Sequence, residues 1–162
     1  MPLESTLDLS GFQCGEESLD YWLQRKAKSN QVSGASRTFV TFSKADELAG
    51  FYSLAAGSIS RATAPKQVQR NSPDPIPIYI LGRLAVDLKF QGMGTGSSLL
   101  QHAILQAGAG LRFIGASALL VHALNDSASQ FYQKFGFTQS EFDSRTLFMP
   151  TAILSEFVRR FE

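Results

Sequence analysis

The feature that most restricts this chain is a strand that runs into glycine and out again into a helix. Ile78 to Val86 is strongly apolar, Asp87 to Gly96 breaks it with three glycines, and Ser97 to Ala109 carries Leu99, Leu100, Ala103 and Ile104 on one helical face. A buried strand feeding a helix commits the chain to layers of sheet and helix. Glycines at such a junction let backbone N–H groups meet a ligand unobstructed, and the helix start adds partial positive charge. A diphosphate is therefore the expected ligand of Gln91-Gly92-Met93-Gly94-Thr95-Gly96. A Walker loop is excluded, because Ser97 and Ser98 follow Gly96 where Lys and Ser or Thr are required. The dinucleotide fingerprint also fails. Ser97 occupies the place of its third Gly or Ala, and several elements precede the loop.

The elements on either side define the class. Glu16 to Lys28 carries Leu19, Trp22, Leu23 and Ala27 at helical spacing and predicts one helix, with Trp22 as a core anchor. Arg37 to Ser43 and Leu48 to Ser60 read as an antiparallel hairpin around a turn at Lys44 to Glu47. Arg61 to Pro77 holds Pro65, Pro73, Pro75 and Pro77 and reads as a loop. Ala118 to Ala123 is a short strand buried on both faces, Ser127 to Phe135 a helix stopped by Gly136, Arg145 to Met149 a last strand and Thr151 to Phe161 a closing amphipathic helix. Antiparallel strands come first and a strand, helix, strand, helix, strand unit follows. The expectation is a single α+β domain spanning 1–162, with a mixed sheet rather than a regular doubly wound one.

No stretch has the apolar length needed to span a bilayer, and Met1 to Ser10 has neither the basic start nor the apolar run of a secretory signal. Cys14 is the only cysteine, so no intrachain disulfide forms; a reducing cytoplasm fits best and Cys14 is expected to be an inert, partly buried thiol. Two histidines without clustered carboxylates argue against a metal site. The net charge is only +1, yet it is distributed unevenly. Arg25, Lys26, Lys28, Arg37 and Lys44 share a stretch without an acidic residue, as do Arg61, Lys66 and Arg70. Such stretches form ordinary solvated faces or attract phosphates over about a Debye length.

Gln91, Gly94 and Gly96 fill the fixed positions of the Gln/Arg-x-x-Gly-x-Gly/Ala pyrophosphate loop of the GCN5-related N-acetyltransferase (GNAT) superfamily. Asn125 followed by Phe131-Tyr132-Gln133-Lys134-Phe135-Gly136-Phe137 resembles a second segment of that superfamily. Phe12, Cys14, Gly15, Leu19, Asp20, Trp22 and Leu23, then Ser36 to Val40, Gly50 to Leu54 and Leu81 to Asp87, resemble more narrowly the GNAT toxins of bacterial toxin–antitoxin pairs. The resemblance covers about Phe12 to Met149. It implies a GNAT fold, with a mostly antiparallel sheet splayed around the acetyl-CoA site and helices on both faces. It also implies acetylation of the α-amino group of aminoacyl-tRNA, which blocks translation, neutralisation by a ribbon-helix-helix antitoxin, and a homodimer.

Carried onto this sequence, the resemblance makes Tyr132 the general acid for the departing thiolate. A phenol with a pKa near 10 suits a thiolate of similar basicity. Acetyl-CoA, the co-substrate, is assigned to the backbone of Leu84, Ala85 and Val86, which accepts the pantetheine arm like an added strand, to the loop Gln91, Gly92, Met93, Gly94, Thr95 and Gly96, and to Asn125 and Phe131. Asn125 is equally suited to cap the following helix. Arg37, Lys66, Arg70 and Arg83 are the candidates for tRNA phosphates, with no metal involved. No obvious general base appears. An α-amino group next to an ester is already partly neutral at pH 7. His102 reads as a solvated residue on a helix flank and His122 as a strand residue, so both are poor substitutes. Two other functions compete with this one: a GNAT acting on a small amine or a protein N-terminus, and a CoA-binding module without turnover.

Overall fold

The computed structural model describes residues 1–161. Helix α1 (Glu17–Arg25) has Glu17 and Asp20 in its first turn and Arg25 in its last, the polarity that the helix dipole favours. The single predicted helix is broken at Lys26, where φ is −119°, and a second helix, α2 (Ala27–Ser33), continues to a left-handed Gly34 at φ 84°. The break brings Ala27, which has no exposed surface, into the same core as Trp22 and Leu23. Periodicity along one helix axis does not anticipate that tertiary gain.

Strands β1 (Arg37–Phe42) and β2 (Leu48–Ile59) form the expected antiparallel hairpin, with Val40 opposite Phe51. The proline-rich stretch, expected to be loop throughout, instead holds a one-turn helix, α3 (Lys66–Gln69). Pro65 precedes that helix where no N–H is needed, and Pro73, Pro75 and Pro77 lie beyond its end. Strand β3 (Ile76–Val86) is followed by a short 3₁₀ turn over Leu88–Phe90 and helix α4 (Thr95–Gly110). Then come β4 (Ala118–His122), α5 (Asp126–Lys134), a two-residue β5 (Thr138–Gln139) that periodicity did not reveal, β6 (Thr146–Pro150) and α6 (Thr151–Arg159).

The six strands are ordered β1-β2-β3-β4-β6-β5. β3 and β4 are parallel, whereas β4 with β6 and β5 with β6 are antiparallel, as the mixed α+β class requires. The β3–β4 ladder pairs Tyr79 with Leu119, Ile80 with Leu120 and Leu81 with Val121. Gly82 to Val86 continue β3 past the residues paired with β4.

The chain divides into two compact units. The first comprises Met1–Ala55 with Gly82–Ala103, and the second Ala56–Leu81 with the chain from Ile104 onward. The core of the first unit gathers Phe12, Cys14, Trp22, Leu23, Val40, Phe51 and Ala85. Phe51 stacks on Trp22 at 6.1 Å and meets Phe12 edge-on at 5.5 Å. Each such pair contributes about 0.5–1.5 kcal/mol beyond its buried area. The core of the second unit joins Val68 of α3 to Ile76 and Ile78 of β3, Ala118 and Leu120 of β4 and Phe148 of β6. Among the described residues no helix is long and apolar enough to cross a membrane.

Candidate active site

In the first unit the glycine loop is built as the sequence requires. Gly92 and Gly94 have φ of 79° and 83°, in the left-handed region that side chains disfavour, and no neighbouring atom lies within 4 Å of where a Cβ would stand. The N–H groups of Gly92 to Ser97 donate to no acceptor among the described residues; Ser98 is the first whose N–H bonds back, to Gly94 O at 3.1 Å. Gln91 to Gly94 are exposed. A run of unpaired N–H groups at the start of a 16-residue helix fits a diphosphate.

Side chains hold this loop in place. Gln91 Nε2 donates to Cys14 O and to Val86 O, each at 2.9 Å, so its amide braces the loop against the end of β3 and the N-terminal segment. The carboxylate of Asp87, only 6% exposed, accepts from Gln13 N and Lys89 N, each at 3.0 Å. In the sequence Asp87 has no role beyond ending a motif, because one of its partners lies 74 residues away. Cys14 is buried; desolvation first, and then hydrogen bonding to Asp20, push its thiol up to about 11, which leaves it unreactive at neutral pH.

The adjoining stretch of β3 holds Leu84, Ala85 and Val86, with Ala85 buried and the other two partly exposed. Arg83 is half-buried, with its guanidinium carbon 4.2 Å from the centroid of the Trp22 ring, and no hydrogen bond or ion pair engages it among the described residues. Burial lowers its pKa without threatening its charge. His102 is not the solvated flank residue that helical spacing suggests. Its Nδ1 shares a hydrogen bond with the buried Tyr52 hydroxyl at 2.5 Å, its ring meets Phe39 at 5.5 Å, and burial lowers its pKa.

In the second unit Asn125 is the N-cap of α5, its Oδ1 accepting from Ala128 N at 2.8 Å. Its amide NH₂ remains available to a ligand. Tyr132 is 6% exposed, edge-on to Phe131 at 5.3 Å and to Phe137 at 5.7 Å. Burial pushes its phenol well above the ordinary value, so it carries its proton at neutral pH. The hydroxyl has no hydrogen-bond partner among the described residues. Its proton is therefore not committed to any of them. Gly136, at φ 100°, ends α5 as predicted, with Phe137 N bonding Tyr132 O at 3.3 Å.

The four basic candidates divide between the two units. Lys66 and Arg70 are exposed in the second unit, four residues apart around α3. Arg37 and Arg83 belong to the first unit, where Arg37 Nη1 donates to Gln31 O at 2.6 Å and Arg83 rests on Trp22. Among the described residues no three His, Cys, Asp or Glu side chains gather as a metal site would require.

A mixed sheet and a loop of free backbone donors at a helix start fit an enzyme that uses a diphosphate-bearing acyl carrier. The chain belongs to the GNAT acetyltransferase family: residues 34–139 match the acetyltransferase (GNAT) domain. It is 48% identical over 136 residues to the tRNA-acetylating toxin of Mycobacterium tuberculosis, covering 84% of this chain and 81% of that protein. Among solved structures it superposes on AtaT complexed with acetyl-methionyl-tRNAfMet with a TM-score of 0.84 at 29% identity, over 98% of this chain and 95% of the other. A tyrosine-to-phenylalanine mutant of the AtaT toxin, bound to the C-terminus of the antitoxin AtaR and to acetyl-CoA, matches with a TM-score of 0.81 at 28% identity, over 98% and 96% of the two chains.

Proposed function

We propose that this acetyltransferase moves the acetyl group of acetyl-CoA onto the α-amino group of an amino acid esterified to tRNA, and so acts as a toxin that blocks translation. The observation that carries the reading is the row of unpaired N–H groups from Gly92 to Ser97, in a chain nearly half identical to a tRNA-acetylating toxin. Acetyl-CoA supplies the activated thioester. On this reading residues 1–162 work as one domain in the cytoplasm, as a homodimer, and a ribbon-helix-helix antitoxin holds the activity in check. The AtaT–AtaR complex supports a protein antitoxin of some kind.

Each residue has a defined task. Gly92 to Gly96 hold the diphosphate on backbone donors, and Gln91 fixes the loop. Leu84, Ala85 and Val86 offer backbone groups to the pantetheine arm, with Asn125 and Phe131 further along it. The amine attacks the thioester carbonyl in its neutral form, and Tyr132 protonates the departing sulfur. Arg83, Arg37, Lys66 and Arg70 meet tRNA phosphates.

The test is purified protein with labelled acetyl-CoA and three acceptors: charged tRNA, deacylated tRNA and free amino acids. Mass spectrometry of the aminoacyl adenosine released from the tRNA should show one acetyl group, on charged tRNA alone. Label on free amines or protein N-termini would instead mark a small-amine or N-terminal acetyltransferase. Acetyl-CoA binding without turnover on any amine would mark a non-catalytic module.

A further inference from the structure

An attacking amine gains positive charge as its C–N bond forms and must then lose a proton, and none of the residues assigned above accepts one. The sequence disfavours both histidines for this task, but the structure separates them. His102 is engaged with Tyr52. His122 is exposed at the carboxyl end of β4, the strand end from which Asn125 and α5 depart, and in parallel-strand sheets ligands bind outside such ends.

The hydrogen bonds around His122 fix its tautomer. The Thr146 hydroxyl has a single proton and donates it to Asp143 Oδ2 at 2.9 Å. Asp143 is ionised: the Arg145 N–H first, and then the Thr146 hydroxyl, hold its carboxyl below the usual range. With its proton committed, Thr146 Oγ1 can only accept from His122 Nδ1, 3.0 Å away. In the neutral ring Nδ1 therefore carries the proton, and Nε2, with no partner among the described residues, keeps its lone pair. This Asp-Thr-His series is pinned by the sheet register, in which His122 stands opposite Thr146 on antiparallel β4 and β6. The charged groups around it are Asp143 and Arg145, the latter 3.5 Å from Asp126.

We propose that His122 Nε2 is the proton acceptor of the transfer reaction, with Thr146 and Asp143 as positioning residues. As the amine nitrogen bonds to the acetyl carbon, its N–H proton passes to Nε2. As the C–S bond breaks, the sulfur takes the Tyr132 proton. His122 then loses a proton to solvent and Tyr132 regains one, so the cycle balances. The inference rests on the acetyl-transfer reading above but not on the identity of the amine.

The experiment measures kcat, with and without added imidazole, and acetyl-CoA affinity for wild type, His122→Ala, His122→Gln and Thr146→Val. Charged tRNA is tried first, and then whichever amine the wild type accepts. His122→Ala should lower kcat about 100-fold while acetyl-CoA affinity stays within about twofold, and added imidazole should restore part of the rate. His122→Gln, which keeps a polar side chain but cannot accept the proton, should show the same loss of kcat. Thr146→Val, which frees the tautomer but keeps the base, should lower kcat about tenfold. A His122→Ala rate within about threefold of wild type overturns the proposal, as does a loss that imidazole leaves unmoved. Wild-type failure on charged tRNA with turnover on another amine overturns only the substrate, because the histidine comparison then runs on that amine. No turnover on any amine overturns both.

Discussion

At the scale of single residues, chemistry depends on which groups keep a free atom. Tyr132 has an enclosed ring but an unpartnered hydroxyl, and burial keeps its proton in place. Tyr132→Phe should therefore lower kcat about 10²–10⁴-fold and abolish growth arrest on expression, with acetyl-CoA binding intact by calorimetry. The sign of the pKa shift gives a second expectation. A phenol raised above its ordinary value stays protonated well into the alkaline range, so wild-type kcat should show no alkaline fall below about pH 10; a fall near pH 8 would point to a different acid. Tyr132 was legible because a whole motif surrounds it in sequence. The Asp143–Thr146–His122 series was not, since Thr146 reaches His122 only through strand pairing across 24 residues. His102 misled for the same reason, its partner Tyr52 being 50 residues away.

At the scale of elements, hydrophobic periodicity found the strands and helices that bury one regular face. It missed features decided by tertiary contact: the break at Lys26, the single turn of α3 and the two-residue β5. The glycine loop was legible as a cradle, but its bracing was not. Gln91 fits the loop motif, yet its amide reaches back to Cys14 O and Val86 O. Gln91→Ala should raise the KM for acetyl-CoA about tenfold, the order expected when a positioning contact is lost, with kcat nearly unchanged. Gly94→Val forces a β-branched residue to φ 83°, at a cost of roughly 1–2 kcal/mol, and should weaken acetyl-CoA binding at least as much. Elsewhere, α4 and α6 touch at Gly108, where an added Cβ would lie 2.2 Å from Val158 Cγ2. Gly108→Ala should lower stability by about 1–3 kcal/mol, read as a drop in the urea midpoint, without altering acetyl-CoA affinity in the fraction that remains folded.

At the scale of the whole molecule, a net charge of +1 conceals its distribution. If Arg37, Lys66, Arg70 and Arg83 meet phosphates, the logarithm of the KM for charged tRNA should rise linearly with the logarithm of salt concentration, and each change to Gln should flatten that slope by about one. The four residues fall in two separate units, Arg83 alone being braced by an aromatic ring. Trp22→Leu should therefore mimic part of the Arg83 effect on tRNA. The loop residues from Gly92 to Ser97 carry a different implication. Their donors are peptide groups, which every residue but proline possesses, so no ordinary point substitution erases one; it only bends the chain that presents it. A population selected to survive expression of this protein should thus seldom lose the cofactor cradle by deleting a donor group, and should lose it instead by changes that misplace the donors. Surviving lineages should carry lesions at its glycines, at its bracing amide, or at the phenol that no peptide group can replace.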